Sequence, residues 1–200
     1  MLERLPLEGA EVRYDADAFA SRADALLDAL HREIPWEQHR LRIFGREVGS
    51  PRLSCWIGDE GTAYKYSGTL FEPHAWTPTL ASLREELATR FELRFNSVLA
   101  NLYRDGRDSM GWHSDAEPEL GDEPVIASLS FGAVRRFRFR LRATKRVALA
   151  IDLASGSLLV MRGATQRMYQ HDLPKVARAG ARVNLTFRWI RSVGGTRRAG

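Results

Sequence analysis

Residues 182 to 188 read Arg182-Val183-Asn184-Leu185-Thr186-Phe187-Arg188. Polar and apolar side chains alternate along this stretch, which is the period of a β-strand. Arg182, Asn184, Thr186 and Arg188 fall on one face, and Val183, Leu185 and Phe187 on the other. The same period runs back through the second half of the chain. It predicts strands over Asn96–Tyr103, Val125–Phe131, Arg136–Arg142, Arg146–Leu153, Ser157–Met161 and Thr165–His171, with the last strand covering Arg182–Ile190. Gly and Asp break them at short intervals, the spacing of an antiparallel barrel or jelly roll. Shorter strands are predicted at Arg40–Phe44, Leu53–Ile57 and Ala63–Tyr66.

The front half also carries a helical period. Phe19, Ala23, Leu26, Leu27, Leu30 and Ile34 recur at helix spacing, which predicts a helix over Asp15–Ile34, capped by Asp15 or Asp17 and ended by Pro35. A second helix is predicted over Pro78–Arg90, with Thr77 as its cap, Pro78 at its first position, and Leu80, Leu83, Leu87 and Phe91 as its buried stripe. The fold class is therefore mainly β with flanking helices (α+β).

The 200 residues suffice for one full-sized domain and barely for two. A hydrophobic fraction of 44% is that of a soluble globular protein. No apolar run approaches the roughly 20 residues of a membrane helix, and the opening residues lack the basic-then-apolar order of a secretory signal. A lone cysteine, Cys55, excludes an intramolecular disulfide and suits a reducing cytoplasm; its apolar flanks give it a space-filling role. The net charge of +5 is uneven: residues 135–146, RRFRFRLRATKR, hold seven basic groups and no acid. An arginine field of this kind fits a phosphate-bearing partner, although a solvated face would read the same way.

The segment Gly111-Trp112-His113-Ser114-Asp115 points to a metal. In an extended chain His113 and Asp115 face the same way and can bind one ion from one side. Of the remaining histidines, His31 and His39 lie in the front of the chain and His74 sits in a Pro-flanked turn, while His171 ends a strand of the barrel half. Two histidines and a carboxylate leave coordination positions open, which suits non-haem iron(II) and a chelating co-substrate. The face of Arg182, Asn184, Thr186 and Arg188 would be expensive to bury without an anion, and a dicarboxylic acid gives each arginine a carboxylate. Asn101 and Tyr103 share a face in Asn101-Leu102-Tyr103-Arg104-Asp105-Gly106 and can add neutral hydrogen bonds to the same acid.

Taken in order, N-x-Y-x-D-G, His-x-Asp, the distal histidine and R-x-N-x-T-x-R resemble the AlkB-like dioxygenases, and most closely the branch acting on DNA. The resemblance runs from about Ile43 to Ile190 and takes in Ile43-Phe44-Gly45-Arg46, Pro51-Arg52-Leu53, Tyr64-Lys65-Tyr66-Ser67-Gly68, Ile126 to Gly132 and Gly156-Ser157-Leu158-Leu159. It implies a double-stranded β-helix (jelly roll) core over about residues 91–190. It places helices and a nucleotide-recognition lid in about 1–90 and leaves a basic tail at 191–200, all within one domain. It implies iron(II) on His113, Asp115 and His171. It implies 2-oxoglutarate on Asn101, Tyr103, Arg182, Thr186 and Arg188, with Arg182 at the distal carboxylate, Arg188 nearer the metal, and Asn184 on the same strand face. Dioxygen is the further co-substrate.

The implied activity is oxidative removal of alkyl groups from nucleobases such as 1-methyladenine and 3-methylcytosine, releasing formaldehyde, succinate and carbon dioxide. Such bases are cationic and leave the stack at little cost. Tyr64 and Tyr66 alternate onto one face and suit a flat cation. The resemblance sandwiches the base between Tyr66 and His113, sets Glu117 against its exocyclic amine, and adds Arg52 and Ser67 to the substrate side. It puts Phe44 where some relatives wedge a residue into the duplex. Where the DNA-repair branch often has a second acid after the ligand aspartate, this chain has Ala116. Competing readings are the same chemistry on methylated RNA, a protein side chain or a small molecule, and a nucleic-acid-binding module without catalysis. A monomer with no membrane attachment is expected.

Overall fold

The computed structural model describes residues 1–43, 46–62, 64–66 and 69–191; the side chains of residues 40–48 and 63–71 also lie outside that description. Two strands open the chain, β1 (Glu3–Arg4) and β2 (Glu11–Asp15), followed by helix α1 (Ala23–Glu33). Four short strands and one longer one come next: β3 (Arg40–Ile43), β4 (Arg46–Gly49), β5 (Leu53–Gly58), β6 (Tyr64–Tyr66) and β7 (Thr69–Phe71). After α2 (Pro78–Phe91) the chain is almost entirely sheet. The strands are β8 (Ser97–Tyr103), β9 (Met110–His113), β10 (Ile126–Gly132), β11 (Arg135–Leu141), β12 (Val147–Leu153) and β13 (Ser157–Arg162). The short helix α3 (Thr165–Met168), β14 (Tyr169–Leu173) and β15 (Arg182–Arg188) complete it.

Two antiparallel sheets carry the fold. The larger has seven strands in the order β1-β2-β13-β10-β15-β8-β5, the smaller four in the order β12-β11-β14-β9. Side chains from both sheets meet in one apolar cluster that includes Ile126, Leu159 and Met161 from the large sheet and Phe139, Leu153 and Tyr169 from the small one. The other face of the large sheet is covered by the helices. Leu30 of α1 and Leu80, Leu83 and Leu87 of α2 pack there with Phe131, Val183, Leu185 and Phe187. This is a two-sheet jelly roll with helical buttresses, the fold class expected from the alternating strands. The hairpins β3–β4 and β6–β7 form two separate two-stranded sheets.

The β15 alternation is now explained. All seven residues are buried, because the strand is central and both of its faces are covered. The odd apolar positions face the helices; the four polar positions face the space between the sheets.

Three expectations need correction. The first helix does not begin at Asp15: that residue ends β2, which pairs with β13 (Leu158 opposite Asp15), so residues 11–15 belong to the sheet. Its regular turns start at Ala23 without a side-chain cap, after a 3-10 turn at Ala20–Arg22. Thr165–His171 is not one strand, since Thr165–Met168 closes a helical turn and β14 starts at Tyr169. The strands at Glu3–Arg4 and Glu11–Asp15 were not expected at all; they extend the edge of the large sheet. The second helix matches at its start and in most of its stripe: Thr77 Oγ1 accepts the Leu80 N–H, Pro78 follows, and Leu80, Leu83 and Leu87 are fully buried, while Phe91 is half-buried. One glycine is set by close approach. A Cβ on Gly106 would lie 2.4 Å from the Val176 carbonyl oxygen, so the loop after β8 can lie against the segment leading to β15 only without a side chain there.

Candidate active site

The inner faces of the two sheets line a pocket. The small sheet brings two histidines together. His113 on β9 is the register partner of His171 on β14, and their ring centroids lie 4.3 Å apart. Asp115 comes from the extended segment just beyond β9. One donor atom from each of His113, Asp115 and His171 lies within 4.8 Å of the other two, a spacing that a single ion can span.

The surroundings orient the donors and set the charge of two of them. His113 donates Nδ1–H to the Gly111 carbonyl at 2.8 Å, which leaves Nε2 as the lone-pair nitrogen. His171 is buried beneath Phe137, whose ring stacks on it at 5.1 Å. Burial first, and the neighbouring His113 second, push its imidazole down to about 3, so it is neutral at physiological pH. Burial pushes the Asp115 carboxyl up, but the Arg188 guanidinium outweighs this and holds it below its ordinary value. Arg188 Nη2 donates to Asp115 Oδ1 at 2.6 Å. Two imidazoles and a carboxylate form a donor set that fits a divalent ion.

The large sheet supplies the opposite wall. Arg182 is 1% exposed and donates from Nη2 to Ser130 Oγ at 2.9 Å. Its Nε and Nη1 are buried and have no hydrogen-bond partner among the described residues. Tyr103 lies against it, with the guanidinium carbon 5.3 Å from the ring centroid, and burial pushes its pKa down to about 10. A second buried arginine, Arg135, adds positive charge nearby, with its Nη donors on the carbonyls of Asp105, Asp108 and Pro174. A buried cation with idle donors fits one carboxylate of a small diacid.

Asn101, Tyr103, Thr186 and Arg188 line the same pocket as Arg182 and the three metal donors. Asn101 Oδ1 accepts from Arg52 Nε at 2.6 Å, leaving its amide N–H groups to offer. Asn184 also lines the pocket, but its Nδ2 donates to Ser128 Oγ and to the Leu129 carbonyl, and its Oδ1 accepts from Thr186 Oγ1. It is committed to β10. Arg52 is buried behind Asn101 and does not line the pocket; Glu117 is half-buried at the start of the 3-10 turn Pro118–Leu120 and does not line it either. Phe44 and Ser67 lie outside the described residues. Tyr64 and Tyr66 are placed on β6 by their backbone, and their side chains lie outside the description.

Sequence reasoning passed over several residues. Ser128 and Ser130 on β10 alternate with Ala127, Leu129 and Phe131, and the period-two argument used for β15 would have found them opposite Thr186 and Asn184. Gln166, whose Oε1 accepts the Asp115 backbone N–H at 3.0 Å, sits in a helical turn and carried no such signal.

The outward face of the small sheet holds the arginine run. Arg136 pairs with Asp152 and Arg138 with Asp172, each through two hydrogen bonds. Arg140 and Lys145 converge on one neutral acceptor, Gln170 Oε1. Arg138 and Arg140 also lie over the Trp112 ring, 5.0 and 4.3 Å from its centroid. No described helix is long and apolar enough to cross a membrane.

Residues 18–188 match the model of the 2OG-Fe(II) oxygenase superfamily. The chain is 42% identical over 183 residues to the alpha-ketoglutarate-dependent dioxygenase alkB homolog 3 of Mus musculus, covering 84% of this chain and 62% of that protein. It is 37% identical over 194 residues to the DNA oxidative demethylase ALKBH2 of Homo sapiens, covering 92% and 74%. Against the first of these, the chain spans less than two thirds of the relative's length. A solved structure of OsALKBH1 superposes with a TM-score of 0.63 over 94% of this chain and 100% of that one; at 16% identity it speaks for the fold. Iron(II), 2-oxoglutarate and dioxygen are the cofactor and co-substrates of this chemistry, and the triad and buried arginine fit the first two. The chain belongs to the 2OG-Fe(II) oxygenase superfamily, among its AlkB-like members.

Proposed function

We propose that the protein is an oxidative demethylase of N-alkylated bases in DNA, 1-methyladenine and 3-methylcytosine among them. The observation that carries this reading is one pocket in which three metal donors lie within 4.8 Å of one another and face a buried arginine with idle donors. Relatives at 37–42% identity include one named a DNA oxidative demethylase.

His113, Asp115 and His171 hold iron(II), and Arg182, with Tyr103 and Asn101, holds the distal end of 2-oxoglutarate. Arg188, bonded to Asp115, serves the end nearer the metal. Thr186 shapes the wall between them, and Asn184 holds that wall to β10. Iron(II) with 2-oxoglutarate and dioxygen supplies the oxidant that hydroxylates the N-alkyl carbon, with succinate and carbon dioxide as co-products. The hydroxylated group then leaves the base as formaldehyde.

The protein's own residues keep the His171 imidazole neutral, fix the Asp115 carboxylate and line the pocket with Phe137 and Leu173. His113 is only half-buried, which suits a ring that also meets the substrate. The hairpins β3–β4 and β6–β7, apart from the main sheets, serve as the nucleotide lid of the N-terminal 90 residues in a single catalytic domain. Tyr66 and Tyr64 stack on the base, Glu117 meets its exocyclic amine, Arg52 and Ser67 support the lid side, and Phe44 fills the gap in the duplex. Arg140 and Lys145, which share a neutral acceptor, face the DNA phosphates. The setting is cytoplasmic and the protein monomeric.

The test supplies iron(II), 2-oxoglutarate and oligonucleotides carrying 1-methyladenine or 3-methylcytosine. Formaldehyde and succinate should form in equal amounts on DNA. Faster turnover of the matching RNA would move the substrate assignment to RNA. Repair without succinate, or persistence of both products in His113→Ala, would remove the reading.

A further inference from the structure

β9 ends at His113, so the ladder that holds this histidine opposite His171 does not reach Asp115. Asp115 is nonetheless 3% exposed, and a backbone N–H buried at that depth needs a partner. The side chain of Gln166, itself 2% exposed, provides it: Oε1 accepts the Asp115 N–H at 3.0 Å. Gln166 is set in turn from two sides. Its Nε2 donates to Met161 Sδ at 3.4 Å, and its backbone carbonyl accepts from Arg142 Nη1 at 3.3 Å. The short helix that carries it is tied down by Thr165, whose hydroxyl reaches the Arg162 and Glu11 carbonyls. One residue back along the extended segment, Ser114 Oγ donates to the Tyr169 carbonyl at 2.9 Å, so the segment follows β14 by side-chain contacts after its own ladder has stopped.

We infer that Gln166 is a positioning residue of the metal centre: by taking the Asp115 backbone N–H it does for the carboxylate ligand what the strand ladder does for His113. Arg188 fixes the carboxylate from its oxygen end, and Gln166 fixes the main chain from which it projects. Neither contact alone sets both the position and the rotation of the ligand. A carboxylate free to swing takes the ion in more than one geometry, and partners behind a ligand commonly change metal affinity by about 10–100-fold. The inference rests on the proposal that His113, Asp115 and His171 bind a divalent ion.

The test uses the full chain and cobalt(II) as the probe, read by its visible absorption and by equilibrium titration without co-substrate. Wild type should bind one cobalt(II), and His113→Ala should not; wild type failing to bind would sink the metal reading itself. Gln166→Met keeps the volume and loses the acceptor. It should weaken cobalt(II) binding by about tenfold or more and alter the absorption bands. Gln166→Glu keeps an accepting oxygen and should stay within about threefold of wild type, with wild-type bands. Unchanged affinity and bands in Gln166→Met would overturn the positioning role while leaving the metal site standing. So would equal losses in both variants. Should Gln166→Met fail to fold, Gln166→Glu decides alone: retained bands support the role, and lost bands overturn it. Amide hydrogen exchange at Asp115 gives a second readout, expected to quicken in Gln166→Met and to stay slow in Gln166→Glu.

Discussion

β15 and β11 both alternate polar residues, arginines among them, with apolar ones, and the structure treats them in opposite ways. β15 turns Arg182 and Arg188 inward, 1% and 3% exposed, onto the pocket. β11 turns Arg136, Arg138 and Arg140 outward and gives its apolar positions to the interior, where Phe139 is fully buried and Phe137 stacks on His171. Alternation says which residues share a face. Which face lies inside depends on where the strand sits and what stands beside it. β15 is central in the large sheet with helices behind it. The cross-strand neighbours differ accordingly. Arg136 and Arg138 stand opposite Asp152 and Asp172, whereas Arg182 stands opposite Tyr103 and Gly132, neither of which carries charge to meet it. Arg136 and Arg138 are matched by the protein's own acids; Arg182 is left for a ligand.

Substitutions in the two strands should therefore move different quantities. The largest effect belongs to Arg182→Met. It removes an unmatched buried cation, so the ligand-free protein should melt at the wild-type temperature or above. Its affinity for 2-oxoglutarate should fall by about 100-fold, about 3 kcal/mol, by titration calorimetry. Arg138→Met should do the reverse. Asp172, whose side chain is 5% exposed, loses its partner, at a cost of about 2 kcal/mol once the one-third exposure of Arg138 is allowed for. Its melting temperature should fall by about 5 °C while affinity for 2-oxoglutarate stays within about threefold of wild type. If both variants lose 2-oxoglutarate alike, the contrast between the strands is wrong.

A smaller effect is expected where the outward arginines lack acids. Arg140→Gln with Lys145→Gln should lower the slope of log affinity for DNA against log salt by about one to two. Arg136→Gln, drawn from an exposed pair with Asp152, should leave that slope alone. Equal slopes in all three proteins would take the phosphate contacts away from β11. The smallest effect concerns Cys55. Burial, with a contribution from Glu37, pushes its thiol up to about 12. A raised pKa keeps the proton on, so at pH 8 on the order of one molecule in ten thousand holds the reactive thiolate. Iodoacetamide should label it only after denaturation across pH 7–10; rapid native labelling at pH 8 would show that it is neither buried nor inert.

How much could be read beforehand follows from the same physics. β8, β10, β12, β13 and β15 fell within a residue or two of their expected limits, because each is a short alternating or continuous apolar run bounded by breakers. Pro78 and Thr77 marked the start of α2, because a cap and a fixed φ act locally. β2 was hidden, since charged residues alternate with only Val12 and Tyr14 and its strand state depends on β13, far along the chain. In the site, His113, Asp115, Arg182 and Arg188 stood out because chemistry needs their types at their spacing. Gln166 did not, because its role comes from a fold that places residue 166 beside residue 115. The commitment of Asn184 to β10 was equally out of reach, since an amide on a polar strand face reads the same whichever way its bonds go.

The most direct test is titration of 2-oxoglutarate into the protein loaded with manganese(II), which occupies the iron site without turnover. One equivalent should bind only when the metal is present, and binding should vanish in His113→Ala. Tight binding that persists both without metal and in His113→Ala would contradict the shared pocket of triad and arginine.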